Sequence, residues 1–89
     1  MNNEQLQDKS ELLKVIAHPI RICIIRRLIE NPCNVNEIHN CLEKPQSTIS
    51  QHLSKLRAAR VIKGERKGNF ICYHVINKQV KEIVNLLFP

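Results

Sequence analysis

Aromatic residues and glycine are scarce in this 89-residue chain. It has no tryptophan, one tyrosine, two phenylalanines and two glycines. So few rings argue against a ligand pocket built from aromatic side chains, and there is no glycine-rich loop to cradle a phosphate. A nucleophile elbow, a paired-carboxylate arrangement and a redox-active CxxC motif are absent too. The sequence therefore predicts a protein that is not an enzyme, with no catalytic residues and no cofactor.

Long apolar segments are also lacking. No apolar run approaches the roughly 18 residues that a membrane span needs. The polar start, Met1 to Gln5, has no signal-peptide core. We therefore expect a cytoplasmic protein without membrane contact. A single domain of this length buries only about 60% of its unfolded surface, so a homodimer is the expected remedy for a small core.

Positive charge is concentrated in one segment. The chain carries a formal charge of +6, from 14 Lys and Arg against 8 Asp and Glu. Residues 44–67 hold seven of the basic residues and one acidic residue, Glu65, and so account for all of the net charge. A basic segment on a neutral body is typical of a protein that binds a polyanion, although a merely solvated charged surface has the same composition.

Apolar spacing, caps and turn residues predict a mainly α chain with a small β-hairpin. The expected order is helix, helix, short helix, helix, hairpin, helix, over residues 4–17, 19–31, 34–42, 46–59, 61–75 and 77–87. The two helices of 34–59 form a helix-turn-helix, and the hairpin of 61–75 follows as a wing that turns at Gly68 and Asn69. The whole chain, 1–89, is then one winged helix-turn-helix domain with its basic segment on the helix-turn-helix and wing.

Three segments carry a resemblance to a known family: LKVIAHPIR at 13–21, QSTISQHLSKL at 46–56 and GERKGNFICY at 64–73. On these segments the chain resembles the ArsR/SmtB family of winged-helix bacterial repressors over about residues 11–87. Within the family it is most similar to the PagR type, whose members lack the usual metal ligands. The resemblance implies a homodimer paired through the helices of 1–17 and 77–87. It also implies repression through binding of double-stranded DNA at an imperfect inverted repeat.

The helix of 46–59 would enter the major groove with its early residues at the base edges. Glutamine can bind adenine through two hydrogen bonds, and serine or threonine can serve either base type. Basic residues late in that helix and in the wing would contact phosphates or the minor groove. For His52, a structural role at the helix-turn-helix junction stays open. The predicted DNA-binding residues are Gln46, Ser47, Thr48, Ser50, Gln51, His52, Lys55, Arg57, Lys63, Arg66, Lys67, Gly68 and Asn69.

Apolar residues on the two terminal helices predict the dimer interface. They recur at helical spacing along one side of each helix. A domain of 89 residues has little core with which to cover both stripes. The predicted interface residues are Leu6, Leu13, Val80, Ile83, Val84 and Leu87.

The positions where the family's metal ligands would lie carry other residues. One family site uses a Cys-x-Cys pair where this chain has Asn34 and Asn36, and neutral asparagine does not replace thiolate for a soft metal. A second family site uses Asp and His in the last helix, where this chain has Asn77, Gln79 and Glu82. We therefore predict no metal site.

Four cysteines leave an alternative open. Unpaired thiols are the default in the cytosol. Cys23 is expected in the core, and Cys33 and Cys41, eight residues apart, offer no obvious bridge. A redox- or thiol-responsive repressor, or an unusual metal-responsive one, would use Cys23, Cys33, Cys41 or Cys72 as its switch. A third hypothesis is a protein-interaction module with residual DNA binding, against which the basic, Ser/Thr/Gln-rich helix of 46–59 speaks.

Overall fold

The structure, a computed structural model, describes residues 2–32, 38 and 41–89. Its elements are α1 (Asn3–Ile16), α2 (Pro19–Glu30), a 3₁₀ turn (Cys41–Glu43), α3 (Gln46–Ala58), β1 (Ile62–Lys67), β2 (Phe70–Val75) and α4 (Lys78–Leu87). These elements follow the predicted order, and the winged helix-turn-helix is confirmed. The predicted short helix of 34–42 lies mostly outside the described residues, and its last two positions belong to the 3₁₀ turn.

The break between α1 and α2 follows from the His18-Pro19 pair. The residue before a proline avoids helical backbone, and His18 is extended, with φ −151° and ψ 132°. Pro19 then opens α2 at a position where its missing N–H costs nothing. The Nδ1 atom of His18 accepts a hydrogen bond from the Ile20 N–H at 3.1 Å. His18 therefore ends one helix and caps the next.

The core is formed by one apolar face from each element around α2. Ile24, Ile25 and Leu28 of α2 are almost completely buried. The apolar stripe of α3, formed by Ile49, Leu53 and Leu56 at helical spacing, is buried against them. Val61, Ile62 and Tyr73 extend this core into the hairpin. α3 is thereby held on the core by one side, which leaves its other side exposed.

The end of α3 and the hairpin turn use left-handed backbone. Arg60 has φ 59°, and the Val61 N–H donates to the Leu56 carbonyl at 3.0 Å, which is the Schellman arrangement. Gly68, with φ 62°, supplies the positive dihedral at the hairpin tip. The strands pair antiparallel from Ile62 opposite Val75 to Lys67 opposite Phe70.

The expectation of unpaired thiols was wrong for Cys23, Cys41 and Cys72. Cys23 of α2 and Cys41 of the 3₁₀ turn form a disulfide, with their Cα atoms 5.8 Å apart. The two residues are 18 positions apart in sequence, and only the packing of the turn against α2 brings them together. Cys72 is disulfide-bonded as well. Cys33 lies outside the described residues.

Over residues 2–32, 38 and 41–89, no helix has both the length and the apolar character to cross a membrane.

Candidate nucleic-acid interface

The exposed face of α3 carries polar side chains with free access to solvent. Ser47 and Gln51 lie opposite the buried stripe, since they are half a helical turn away from it. Most of the residues predicted to contact DNA on this helix are exposed: Gln46, Ser47, Ser50, Gln51, Lys55 and Arg57. They present amide and hydroxyl groups near the helix start and cations near its end, which suits base edges and phosphates respectively.

Thr48 and His52, one helical turn apart on α3, are both half-buried. The Nδ1 atom of His52 accepts a hydrogen bond from Nε of Arg21 at 3.1 Å. The ring of His52 also lies 4.4 Å from the ring of His18, centroid to centroid. Because these contacts are within the chain, the structure favours the structural alternative for His52 over base contact.

The surroundings of His52 favour its neutral form. Burial lowers the pKa of His52 below the ordinary histidine value, and the positive charges of His18, Arg21 and Lys55 lower it further. An Nδ1 atom that accepts a hydrogen bond carries no proton, so the proton of the neutral ring lies on Nε2. His52 is therefore a hydrogen-bond acceptor toward α2.

The wing extends the polar surface of α3. Lys63, Arg66, Lys67, Gly68 and Asn69 are all exposed. Lys67 forms an exposed ion pair with Glu65 at 3.9 Å. Within the described ranges, no such pair ties Lys63, Arg66, Lys55 or Arg57 to a carboxylate. These four cations are open to a phosphate backbone.

Tyr73 joins the wing to α3. Its buried side chain lines a small notch with Ser50, Ser54 and Arg57 of α3. Gly64 lies opposite Tyr73 in the strand pairing and leaves room for the ring. The position of the wing relative to α3 therefore depends on Gly64 and Tyr73. Neither residue was among the sequence-predicted site residues, and only the register of the hairpin points to them.

The residues predicted for the dimer interface divide into two groups. Leu6, Leu13 and Leu87 are exposed, at 53%, 51% and 60%. Val80 and Val84 are buried in the chain's own core, and Ile83 packs partly against it. The apolar stripe on α4 therefore packs mainly within the chain, because α2 covers it. The same helix exposes Leu86, which the sequence prediction did not include.

Clustered metal ligands are not seen in the described part of the chain, where no three His, Cys, Asp or Glu side chains come together. Asn34 and Asn36 lie outside it. Gln79 is engaged with α1, since its Oε1 atom accepts a hydrogen bond from Nζ of Lys9 at 2.6 Å. Asn77 is the N-cap of α4, and its side chain accepts from the Val80 N–H at 3.0 Å.

A polar helix beside a basic hairpin, both supported by a small helical core, defines a winged helix-turn-helix DNA-binding protein. The family model for the bacterial regulatory proteins of the arsR family matches residues 18–63. The chain belongs to this family and is a transcriptional regulator of the ArsR/SmtB type.

Comparisons with individual proteins extend the similarity over nearly the whole chain. The transcriptional repressor PagR of Bacillus anthracis is 45% identical over 85 residues, which are 94% of this chain and 85% of that protein. The crystal structure of PagR matches with a TM-score of 0.82 at 42% identity, over 97% of this chain and 99% of that one. The structure of HlyU from Vibrio cholerae matches with a TM-score of 0.86 at 29% identity, over 97% and 94% of the two chains.

Proposed function

We propose that this protein is a cytoplasmic, homodimeric repressor that binds an imperfect inverted repeat at promoters, without the family's usual metal sites. The exposed polar face of α3 next to the basic wing carries this proposal. Its amide and hydroxyl groups suit base edges, and the open cations around them suit phosphates. The 45% identity to a protein named as a transcriptional repressor supports repression as the outcome of binding.

The residues proposed to contact base edges are Gln46, Ser47, Ser50 and Gln51, with Thr48 at the edge of the surface. The proposed phosphate and minor-groove contacts are Lys55, Arg57, Lys63, Arg66 and Lys67, with Gly68 and Asn69 at the wing tip. Exposure supports each assignment except Thr48, which is half-buried. His52 is not proposed to contact a base, because its Nδ1 atom accepts a hydrogen bond from Arg21.

Selection of bound sequences from a pool of random duplexes tests the DNA-binding function. We expect an inverted repeat to emerge. A dimer that makes about 6–8 phosphate contacts should show a log–log salt slope of about −5 to −7. Gln51→Ala should cost about 1–3 kcal/mol at one base position. Lys67→Ala is the matched control and should weaken binding to the repeat and to random DNA alike. Equal losses on both DNAs for Gln51→Ala would contradict base reading.

The disulfide favours a second candidate, a redox-responsive repressor. The Cys23–Cys41 bond ties α2 to a turn that ends two residues before Pro45, the N-cap of α3. Cys23 is half-buried and lines an open groove of about 730 Å³ along α2, with Arg26, Arg27 and Phe88 on its walls. An oxidant can therefore approach Cys23, and disulfides in cytosolic proteins are usually transient or redox-sensing.

Redox control is tested with oxidised and reduced protein on the selected repeat, with chelator present. Two thiols would lose two electrons and two protons to an oxidant such as a hydroperoxide, which leaves as an alcohol and water. The bond fixes the start of α3 against α2, so we expect oxidation to weaken binding at least tenfold, about 1.4 kcal/mol. Cys23→Ser and Cys41→Ser should each abolish the difference. Equal affinity in the two states would overturn this candidate.

A further inference from the structure

Three segments of the chain meet at the side chain of Arg21. Its Nη1 atom donates to the Val15 carbonyl at 2.8 Å, and its Nε atom donates to Nδ1 of His52 at 3.1 Å. Val15 lies in the last turn of α1, where carbonyls have no partner within the helix. Arg21 itself lies in the first turn of α2, and His52 lies in the middle of α3. One guanidinium thus bridges α1, α2 and α3.

His18 completes this junction. Its ring lies 4.4 Å from that of His52, and its Nδ1 atom is occupied by the Ile20 N–H. Both histidines therefore act as acceptors through Nδ1, and protonation of His52 at that atom would break its bond to Arg21. The junction, defined as His18, Arg21 and His52, is half-buried. Hydrogen bonds to a charged guanidinium are stronger and more directional than bonds between neutral groups.

We infer that the junction is a positioning device that sets the angle between the recognition helix α3 and the proposed dimerisation helix α1. This inference rests on the proposed DNA-binding function. In a dimer that binds an inverted repeat, the angle between these two helices decides how far apart the two copies of α3 lie. The distance between the copies in turn decides the half-site spacing. Arg21 and His52 therefore determine which spacing is bound, while Gln51 and its neighbours determine which bases are bound.

The junction also predicts a pH effect of definite sign. The charged and titratable groups that face His52 are His18 and Arg21 from the side of α2 and Lys55 from its own helix. Protonation of His52 at Nδ1 would replace the acceptor with a donor and add a cation beside Arg21. Acid should therefore loosen the spacing preference. If His52 instead contacted a phosphate, acid would tighten binding at every spacing.

The experiment measures affinity for a series of duplexes that carry the selected half-sites with spacers lengthened or shortened one base pair at a time. The wild-type protein should prefer one spacing by roughly tenfold or more over its neighbours. His52→Ala and Arg21→Lys should reduce this preference to threefold or less and leave the preferred bases within each half-site unchanged. A variant that is merely unfolded would lose bases and spacing together, and circular dichroism at the assay temperature identifies it.

His52→Asn is the rescuing control. Its Oδ1 atom lies as many bonds from Cα as Nδ1 of histidine does, and it accepts but does not titrate. This variant should keep the spacing preference and lose its dependence on pH as the pH falls from neutral to well below the ordinary histidine pKa. His52→Gln places its acceptor one bond farther out and should not rescue. A spacing preference that survives His52→Ala, or that acid sharpens, would overturn the inference.

A measurement without DNA separates the inference from the proposed function. Failure of the wild-type protein to select any inverted repeat would count against the function. Whether or not an inverted repeat is selected, the nitrogen NMR spectrum of the His52 imidazole tests the junction directly. We expect the proton on Nε2 at neutral pH, and Arg21→Lys should raise the pKa of His52 because its acceptor bond is lost while the charge is kept. A proton on Nδ1, or a pKa indifferent to Arg21→Lys, would refute the junction.

Discussion

Gly64 shows how a single residue holds the wing in place. A Cβ atom at this position would lie 2.9 Å from Cγ2 of Ile71 and 3.1 Å from Cε1 of Tyr73. Gly64→Ala should therefore displace the tyrosine ring and lower the free energy of unfolding by about 1–3 kcal/mol, the usual cost of overpacking. Chemical denaturation measures the loss. Tyrosine fluorescence reports the displacement, because Tyr73 is the only tyrosine and the chain has no tryptophan.

Gly68→Ala is the matched control for Gly64→Ala. Its Cβ would meet nothing within 4 Å, but its φ of 62° disfavours any residue with a side chain. We expect a loss of about 1 kcal/mol from backbone strain, with the fluorescence of Tyr73 unchanged. An altered tyrosine signal in Gly68→Ala, or an unaltered one in Gly64→Ala, would contradict the assignment of Gly64 as the residue that makes room for the ring.

Helices and strands could be predicted from the sequence where the residues that specify them are close together in the chain. Helix starts at Pro19 and Asn77 follow from the chemistry of those residues, and the buried stripe of α3 follows from a period of 3.6 residues. The hairpin follows from alternation on either side of a glycine turn. Each of these signals lies within a few residues of the structure it specifies, so no knowledge of the rest of the fold was needed.

Features that depend on contacts between distant segments were not predictable in this way. The Cys23–Cys41 pair and the Arg21–His52 bond join residues 18 and 31 positions apart. The apolar stripe on α4 was correctly located, but periodicity cannot tell whether α2 or a second chain covers Val80 and Val84. The exposure of Gln51 was predictable from its position opposite the buried stripe of α3. The hydrogen bond between His52, which lies beside that stripe, and Arg21 was not predictable.

The chain as a whole is less compact than its length predicts. Its radius of gyration is 13.2 Å, against about 12 Å for a compact domain of this size. The residues of α1 from Asn3 to Glu11 are all exposed. The tertiary contacts of α1 are mostly at its C-terminal end, where Leu12, Val15 and Ile16 pack on the core, and a short helix with little packing is marginal in water. This geometry supports the proposal that a second copy packs against α1.

The surface proposed for the second copy includes both terminal helices. A groove of about 400 Å³ runs between α1 and α4, with Leu13 and Leu86 on its rim. Leu86 is 81% exposed, more than any other large apolar residue among those described. From the predicted interface we therefore retain Leu6, Leu13, Ile83 and Leu87, and we add the exposed Leu86. Val80 and Val84 support them from within the core.

Leu13→Glu tests this surface. In a symmetric dimer each substitution occurs twice, and burial of a leucine contributes about 1.5–3 kcal/mol. Two lost leucines should weaken the dimer by at least about 3 kcal/mol, roughly a hundredfold in Kd. Sedimentation equilibrium should find a wild-type dimer and a Leu13→Glu monomer at the same concentration. Gln5→Glu adds the same charge at an exposed position in the first turn of α1, where an acidic side chain suits the helix dipole, and should stay dimeric. A monomeric wild type, or a dimeric Leu13→Glu, would refute the surface, and with it the route by which α1 is proposed to set the spacing of α3.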